Sequence, residues 1–93
     1  MSGIRDILTA KPKFVTVAGQ QVELARPSAL DLLEALEQAK SKPDTLLAWF
    51  VFKHLREAGQ PVFLSMDEVL ACDAIVVQQI GREAQALYEE GRD

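Results

Sequence analysis

The chain has little of the chemistry that metal sites and disulfide scaffolds require. Its 93 residues include one cysteine and one histidine. A lone Cys72 cannot form a disulfide within the chain, so the chain either suits a reducing cytosol or has no need of disulfides. His54 has Lys53 and Arg56 as near neighbours, and a zinc site would need further ligands at a defined spacing. We therefore predict that His54 is a solvent-exposed helix residue and that the chain binds no metal.

A basic excess, a long apolar run and a glycine-rich loop are also missing. The net charge of −4 disfavours nucleic-acid binding through general attraction to phosphate. No apolar run reaches the ~20 residues that span a bilayer, and Met1–Thr9 does not resemble a signal peptide. The five glycines are too dispersed to cradle a phosphate. We expect a cytoplasmic protein that is not an enzyme and uses no cofactor, small-molecule substrate, nucleic acid or membrane.

What the sequence does contain predicts one small α+β domain, mostly α, over residues 1–93. Apolar residues make up 48% of the chain, enough for a folded core. The pattern predicts a β-hairpin over residues 13–26 and three to four helices packed as a small bundle over residues 28–90. Within residues 1–10, Ile4, Ile7 and Leu8 have helical spacing. That segment is either a docked helical turn or a flexible tail.

The hairpin prediction depends on its turn. Gly19–Gln20 suits a two-residue type II′ turn, with glycine at the first central position. This turn sets Val17 opposite Val22 and Val15 opposite Leu24. All four then lie on one face, as a half-buried hairpin requires.

The first predicted helix runs from about Ser28 to Lys40. Ser28 and Asp31 have the spacing of a capping box. Its apolar stripe comprises Leu32, Leu33, Ala35, Leu36 and Ala39. Its opposite face comprises Asp31, Glu34, Glu37 and Gln38. We expect the apolar stripe to face the core and the carboxylates to face water, where they cannot act as a catalytic pair.

Three more helices are predicted, over about 44–58, 66–71 and 74–90, with an extended segment at Val62–Leu64. Asp44, Ser65 and Asp73 occupy N-cap positions, and Gly59 occupies the position after the second helix. The predicted core stripe of the second helix is Leu47, Phe50, Val51, Leu55 and Ala58. That of the last helix is Val76, Val77, Ile80, Ala84, Leu87 and Tyr88.

Candidate protein-binding residues lie off these core stripes. Leu46 and Trp49 fall on the far side of the second helix, and Phe52 lies at its edge. Phe14 lies on the outer face of the hairpin, whose free edge could also pair with a partner strand. Either another element of the domain covers these residues, or they form an apolar surface for a partner or a second copy.

Two stretches together resemble a known family. The run from Phe14 to Asp31 (FVTVAGQQVELARPSALD) is similar to the opening of tail assembly chaperones of long-tailed, siphovirus-type phages and prophages. In that family a short hairpin with a central glycine leads through a Pro-Ser step into an acidic helix. Val62–Leu70 is similar to a second recurrent feature, an apolar stretch followed by a Ser/Thr-capped acidic turn. Together the stretches cover about a third of the chain.

The resemblance implies a viral protein that binds other proteins and has no catalytic residues. Members of the family bind the tape-measure protein, keep its long apolar helix in solution and help to recruit tail-tube protein around it. They also self-associate as oligomers in the host cytoplasm. The alternative is a small head–tail or tail-completion subunit that stays in the phage particle. A regulator that binds nucleic acid ranks behind both because of the negative net charge.

Overall fold

A computed structural model describes residues 3–4 and 11–90, and within them the predicted α+β fold is confirmed. The strands are β1 (Lys13–Val17), β2 (Gln20–Leu24), β3 (Leu55–Glu57) and β4 (Gln60–Pro61). The helices are α1 (Ala29–Ser41), α2 (Leu46–His54), α3 (Met66–Leu70) and α4 (Ala74–Leu87), with a 3₁₀ turn (Pro43–Thr45) before α2. The alternatives for residues 1–10 lie outside the described residues, apart from positions 3 and 4.

The first hairpin forms with the predicted faces but a different register. Its turn is Ala18–Gly19, with φ of 52° and 78°, the signs of a type I′ turn. Val15 therefore pairs with Val22, and Val17 pairs with Gln20. The predicted pairing was wrong by two residues, because Gly19 occupies the second central position of the turn. A shift of two residues leaves every side chain on its predicted face.

A second hairpin replaces the predicted end of the second helix. Helix α2 stops at His54, and β3 pairs antiparallel with β2 through Leu55 opposite Leu24. The turn into β4 is Ala58–Gly59, again with two positive φ values, 51° and 81°. The prediction that Ala58 lies in the core and that Gly59 ends a helix was therefore wrong. The four strands form one antiparallel sheet in the order β1-β2-β3-β4.

The core lies between α2, α4 and the inner face of the sheet. Helix α2 packs most extensively on α4, where Gly81 faces the backbone of Leu47. The core stripe predicted for α4 is confirmed, since Ile80, Ala84 and Leu87 are buried. The larger buried apolar side chains of the domain are Val17, Leu24, Trp49, Phe50, Val51, Leu55, Val69, Ile80 and Leu87.

Two of the three predicted caps of these later helices are confirmed. Ser65 Oγ accepts a hydrogen bond from the Glu68 backbone N–H at 3.3 Å. Asp73 Oδ1 accepts one from the Ile75 N–H at 2.9 Å. Asp44 lies instead in the 3₁₀ turn, and α2 starts at Leu46 without a side-chain cap.

Candidate protein-binding surface

The structure buries the central residue of the predicted contact surface. Trp49 is only 7% exposed, and its ring lies edge-on to Phe50 with centroids 5.4 Å apart. Leu46 is half-buried and packs against the same core. The first of the two alternatives therefore holds for Trp49: the domain covers it, and a partner cannot reach it without opening the core.

The other two predicted residues are accessible but lie on separate elements. Phe52 is half-buried beside a shallow groove that also contains Phe63 and Leu64, and Leu64 is 84% exposed. Phe14 is 54% exposed on the outer face of the sheet, opposite Glu23. The structure thus does not bring the four predicted residues together into one surface.

A different apolar surface lies on α1. The helix begins as predicted: Ser28 Oγ accepts from the Asp31 N–H at 3.1 Å, and Asp31 Oδ2 accepts from the Ser28 N–H at 3.0 Å. This capping box satisfies two backbone donors that the first turn would otherwise leave without partners. It sets where the helix begins but not which of its sides faces the core.

The orientation of α1 differs from the prediction. Asp31 and Glu34 face α2, where Lys53 Nζ lies 2.9 Å from Glu34 Oε1 and 3.7 Å from Asp31 Oδ1. Both acidic residues are half-buried, so the prediction that they face open water was wrong. Ala35 is the one residue of α1 that is buried.

The leucines of α1 consequently face outward. Leu30, Leu33 and Leu36 are 62%, 64% and 62% exposed, and Leu32 is 41% exposed. Spacings of three and four residues place these side chains side by side on the helix surface. We call these four residues the leucine face. The prediction that Leu32, Leu33 and Leu36 belong to the core was wrong.

The outward orientation of the α1 leucines is unfavourable for the isolated domain and favours binding to a partner. An exposed ion pair contributes roughly 0–1 kcal/mol. Burying a leucine side chain contributes roughly 1.5–3 kcal/mol. The two Lys53 ion pairs therefore do not offset four leucines left in water. A second protein that covered the leucine face would recover that free energy, which is how a contiguous exposed apolar patch usually functions.

A groove continues the leucine face toward the end of α4. Leu32 lines it on one side, and Leu87, Tyr88 and Glu90 line it on the other. Glu90 accepts hydrogen bonds from Lys13, at 2.6 Å, and from Arg26. These two cations lower the pKa of Glu90. The groove thus combines apolar lining residues with one carboxylate that is already paired.

His54 is a structural residue, contrary to the prediction that it is solvent-exposed. Its side chain is 0% exposed. Its Nδ1 lies 2.8 Å from the carbonyl oxygen of Ala25, and its Nε2 contacts the Tyr88 hydroxyl. Because a carbonyl can only accept, Nδ1 carries the proton, and Nε2 accepts from the hydroxyl. Both ring nitrogens are thus used to join α2, the end of β2 and the end of α4.

Acidification is expected to destabilise the fold through His54. Burial lowers the pKa of His54 below its usual 6.5. Above pH 6.5 both folded and unfolded chains hold a neutral ring. Below it the unfolded chain takes up a proton first, so the free energy of unfolding falls by up to ~1.4 kcal/mol per pH unit until the folded pKa is reached. Urea unfolding between about pH 7.5 and 5.5, followed by Trp49 fluorescence, measures this slope.

A His54→Gln variant is the control, because His54 is the one histidine of the chain. The variant is expected to be less stable at every pH, but its free energy of unfolding should not fall with pH through titration of a histidine. An equal slope in both proteins would show that other groups cause the acid sensitivity.

Two further kinds of site are not found in the described part of the chain. Residues 3–4 and 11–90 contain no group of three or more His, Cys, Asp or Glu side chains placed to hold a metal ion. Among the helices described, none has the length and apolar character needed to cross a membrane.

Comparison of the chain with protein-family models, with curated proteins and with solved structures gives no match.

Proposed function

We propose that the protein is a non-catalytic tail assembly chaperone of a long-tailed phage or prophage. In this proposal the leucine face binds an apolar helix of the tape-measure protein in the host cytoplasm. The complex then assists the assembly of tail-tube protein around that helix. The single observation that carries the proposal is the outward orientation of the four leucines on a well-capped helix.

The resemblance to this family supports the same reading. The stretch from Phe14 to Asp31 forms the β1–β2 hairpin, the Pro27–Ser28 step and the capped start of α1. In the stretch Val62–Leu70, residues 62–65 contain bends rather than the predicted extended segment, and Ser65 caps helix α3. The hairpin, the capped α1 and the Ser65-capped α3 support the proposal.

The expected affinity suits a chaperone that must release its client. Complete burial of the exposed parts of the four leucines would contribute on the order of 5 kcal/mol. Ordering the partner and losing translational freedom cost several kcal/mol. The leucine face alone therefore supports weak, reversible binding rather than a permanent complex.

Substituting the leucine face is expected to abolish capture of the tape-measure protein. A Leu33→Gln/Leu36→Gln double variant should fold normally, because neither side chain is buried, and should lose at least ~10-fold in affinity. Co-expression with a tagged tape-measure protein, followed by pull-down and titration, measures this loss. The matched control is Leu64→Gln/Leu70→Gln, which changes two exposed leucines outside α1. Undiminished binding by the α1 variant would refute the proposed surface.

Mass spectrometry of purified particles separates the chaperone from a structural subunit. A chaperone acts before the particle is complete, so the protein should be missing from finished virions. Its presence in stoichiometric amounts would instead identify a head–tail or tail-completion subunit.

A further inference from the structure

We propose that the leucine face selects amphipathic helices whose apolar stripe is bordered by lysine or arginine. This inference rests on the proposed function, since it specifies the chemistry of the helix that the face binds. It follows from the charges that border the four leucines and from the net charge of −4.

One border of the leucine face is acidic. Glu34 follows Leu30 by four residues, and Glu37 follows Leu33 by four, so each carboxylate lies beside a leucine one turn away. Glu37 is exposed, and the Glu34 side chain stays 41% exposed although Lys53 pairs with it from below. A cation on a docked helix can therefore reach both carboxylates.

The other charged residues near the leucine face determine where the basic residues of a partner helix can lie. Glu90, in the groove beyond Leu32, is already paired with Lys13 and Arg26. Lys40 follows Leu36 by four residues and places a positive charge at the end of the face. A matching partner thus carries its basic residues opposite Glu34 and Glu37 and has none opposite Lys40.

Exposed charges beside an apolar face determine which partner binds more than how tightly it binds. Solvent-exposed ion pairs change affinity by only a few-fold each, and like charges in the same place weaken binding by a similar factor. The difference between a basic and an acidic partner across two carboxylates therefore reaches about 10-fold or more at low salt. The apolar contact itself would be the same for both partners.

The test uses three synthetic helices that share one leucine and alanine stripe and differ only in their flanking residues: lysine, glutamine or glutamate. Binding of each fluorescently labelled peptide to the full chain is measured by anisotropy at about 50 mM and about 500 mM NaCl. We expect the order lysine, glutamine, glutamate, with a lysine-to-glutamate ratio of about 10 or more at low salt that shrinks at high salt.

Charge reversal on the protein locates the effect. A Glu37→Lys variant should lower the lysine-to-glutamate ratio at least about 3-fold. The matched control, Glu57→Lys, makes the same change in net charge at an exposed residue at the end of β3 and should lower the ratio much less. Equal effects of the two variants would overturn the assignment to the border of α1.

The outcomes also separate this inference from the function on which it rests. Equal binding of all three peptides overturns the charge selection and leaves the leucine face as a binding surface. If none of the peptides binds, both the inference and the proposed surface fail.

Discussion

Replacing His54 with alanine is expected to lower the free energy of unfolding by about 3–5 kcal/mol. The substitution opens a cavity where the side chain is 0% exposed. It also leaves the Ala25 carbonyl and the Tyr88 hydroxyl without their partner in the core. A domain of this size is stable by only ~5–15 kcal/mol, so the variant should be largely unfolded in mild denaturant. Urea titration followed by Trp49 fluorescence measures the change, because the chain has one tryptophan.

A Tyr88→Phe variant separates the contribution of the hydrogen bond to His54 Nε2 from the contribution of the cavity that His54→Ala opens. It removes the hydroxyl that donates to Nε2 and keeps the ring, whose centroid lies 5.0 Å from that of Phe50. The expected loss is about 1–2 kcal/mol, clearly less than for His54→Ala. A loss below about 1 kcal/mol for His54→Ala would mean that the buried imidazole does not hold the three elements together.

Replacing Gly81 with alanine is expected to destabilise the protein by about 2 kcal/mol, although alanine is the better helix former. A Cβ atom at this position would lie 2.7 Å from the carbonyl oxygen of Leu47 and 2.9 Å from its Cβ. The nearest atom belongs to the backbone of α2, so α2 and α4 must move apart. That strain costs roughly 3 kcal/mol, and the gain in helix propensity offsets roughly 1 kcal/mol of it.

The matched control is Gln79→Ala, an exposed position in the same helix. It should change the free energy of unfolding by no more than about 0.5 kcal/mol. Thermal or urea unfolding of both variants and of the unsubstituted protein measures these changes in the free energy of unfolding. If Gly81→Ala is as stable as the unsubstituted protein, the two helices do not pack at the distance seen here.

The sequence predicted best those features that depend on neighbouring residues. The caps at Ser28, Ser65 and Asp73 depend on side chains within three residues of the helix start, and all three are present. The face of each strand in the first hairpin was also predictable, because alternation fixes it whatever the register. The register itself was not, because glycine fits more than one position of a two-residue turn.

The second hairpin could have been found from a repeated tripeptide. Ala-Gly-Gln occurs at residues 18–20 and again at 58–60, and both copies form the same kind of turn. At the second copy the apolar spacing of α2 extended through Leu55 and Ala58 and was assigned to a helix. Pairing of Leu55 with Leu24 in the sheet outweighed that local preference.

The orientation of α1 could not be predicted from its own residues. Helical spacing correctly placed Leu32, Leu33 and Leu36 on one side of the helix, but it cannot say which side meets the rest of the protein. That depends on what the neighbouring helix presents at the contact, and here it presents Lys53. Trp49 was misplaced for a related reason, since α2 has neighbours on more than one side and its apolar residues do not form a single stripe.

The residues of the leucine face are different from the residues that the packed interior requires. Leu30, Leu33 and Leu36 add almost nothing to the packed interior, whereas Gly81, His54 and Trp49 are fixed by it. Substitutions on the outer side of α1 are therefore expected to leave the scaffold intact. Under the proposed function, one scaffold would then serve diverging clients, with the two sets of positions changing at independent rates.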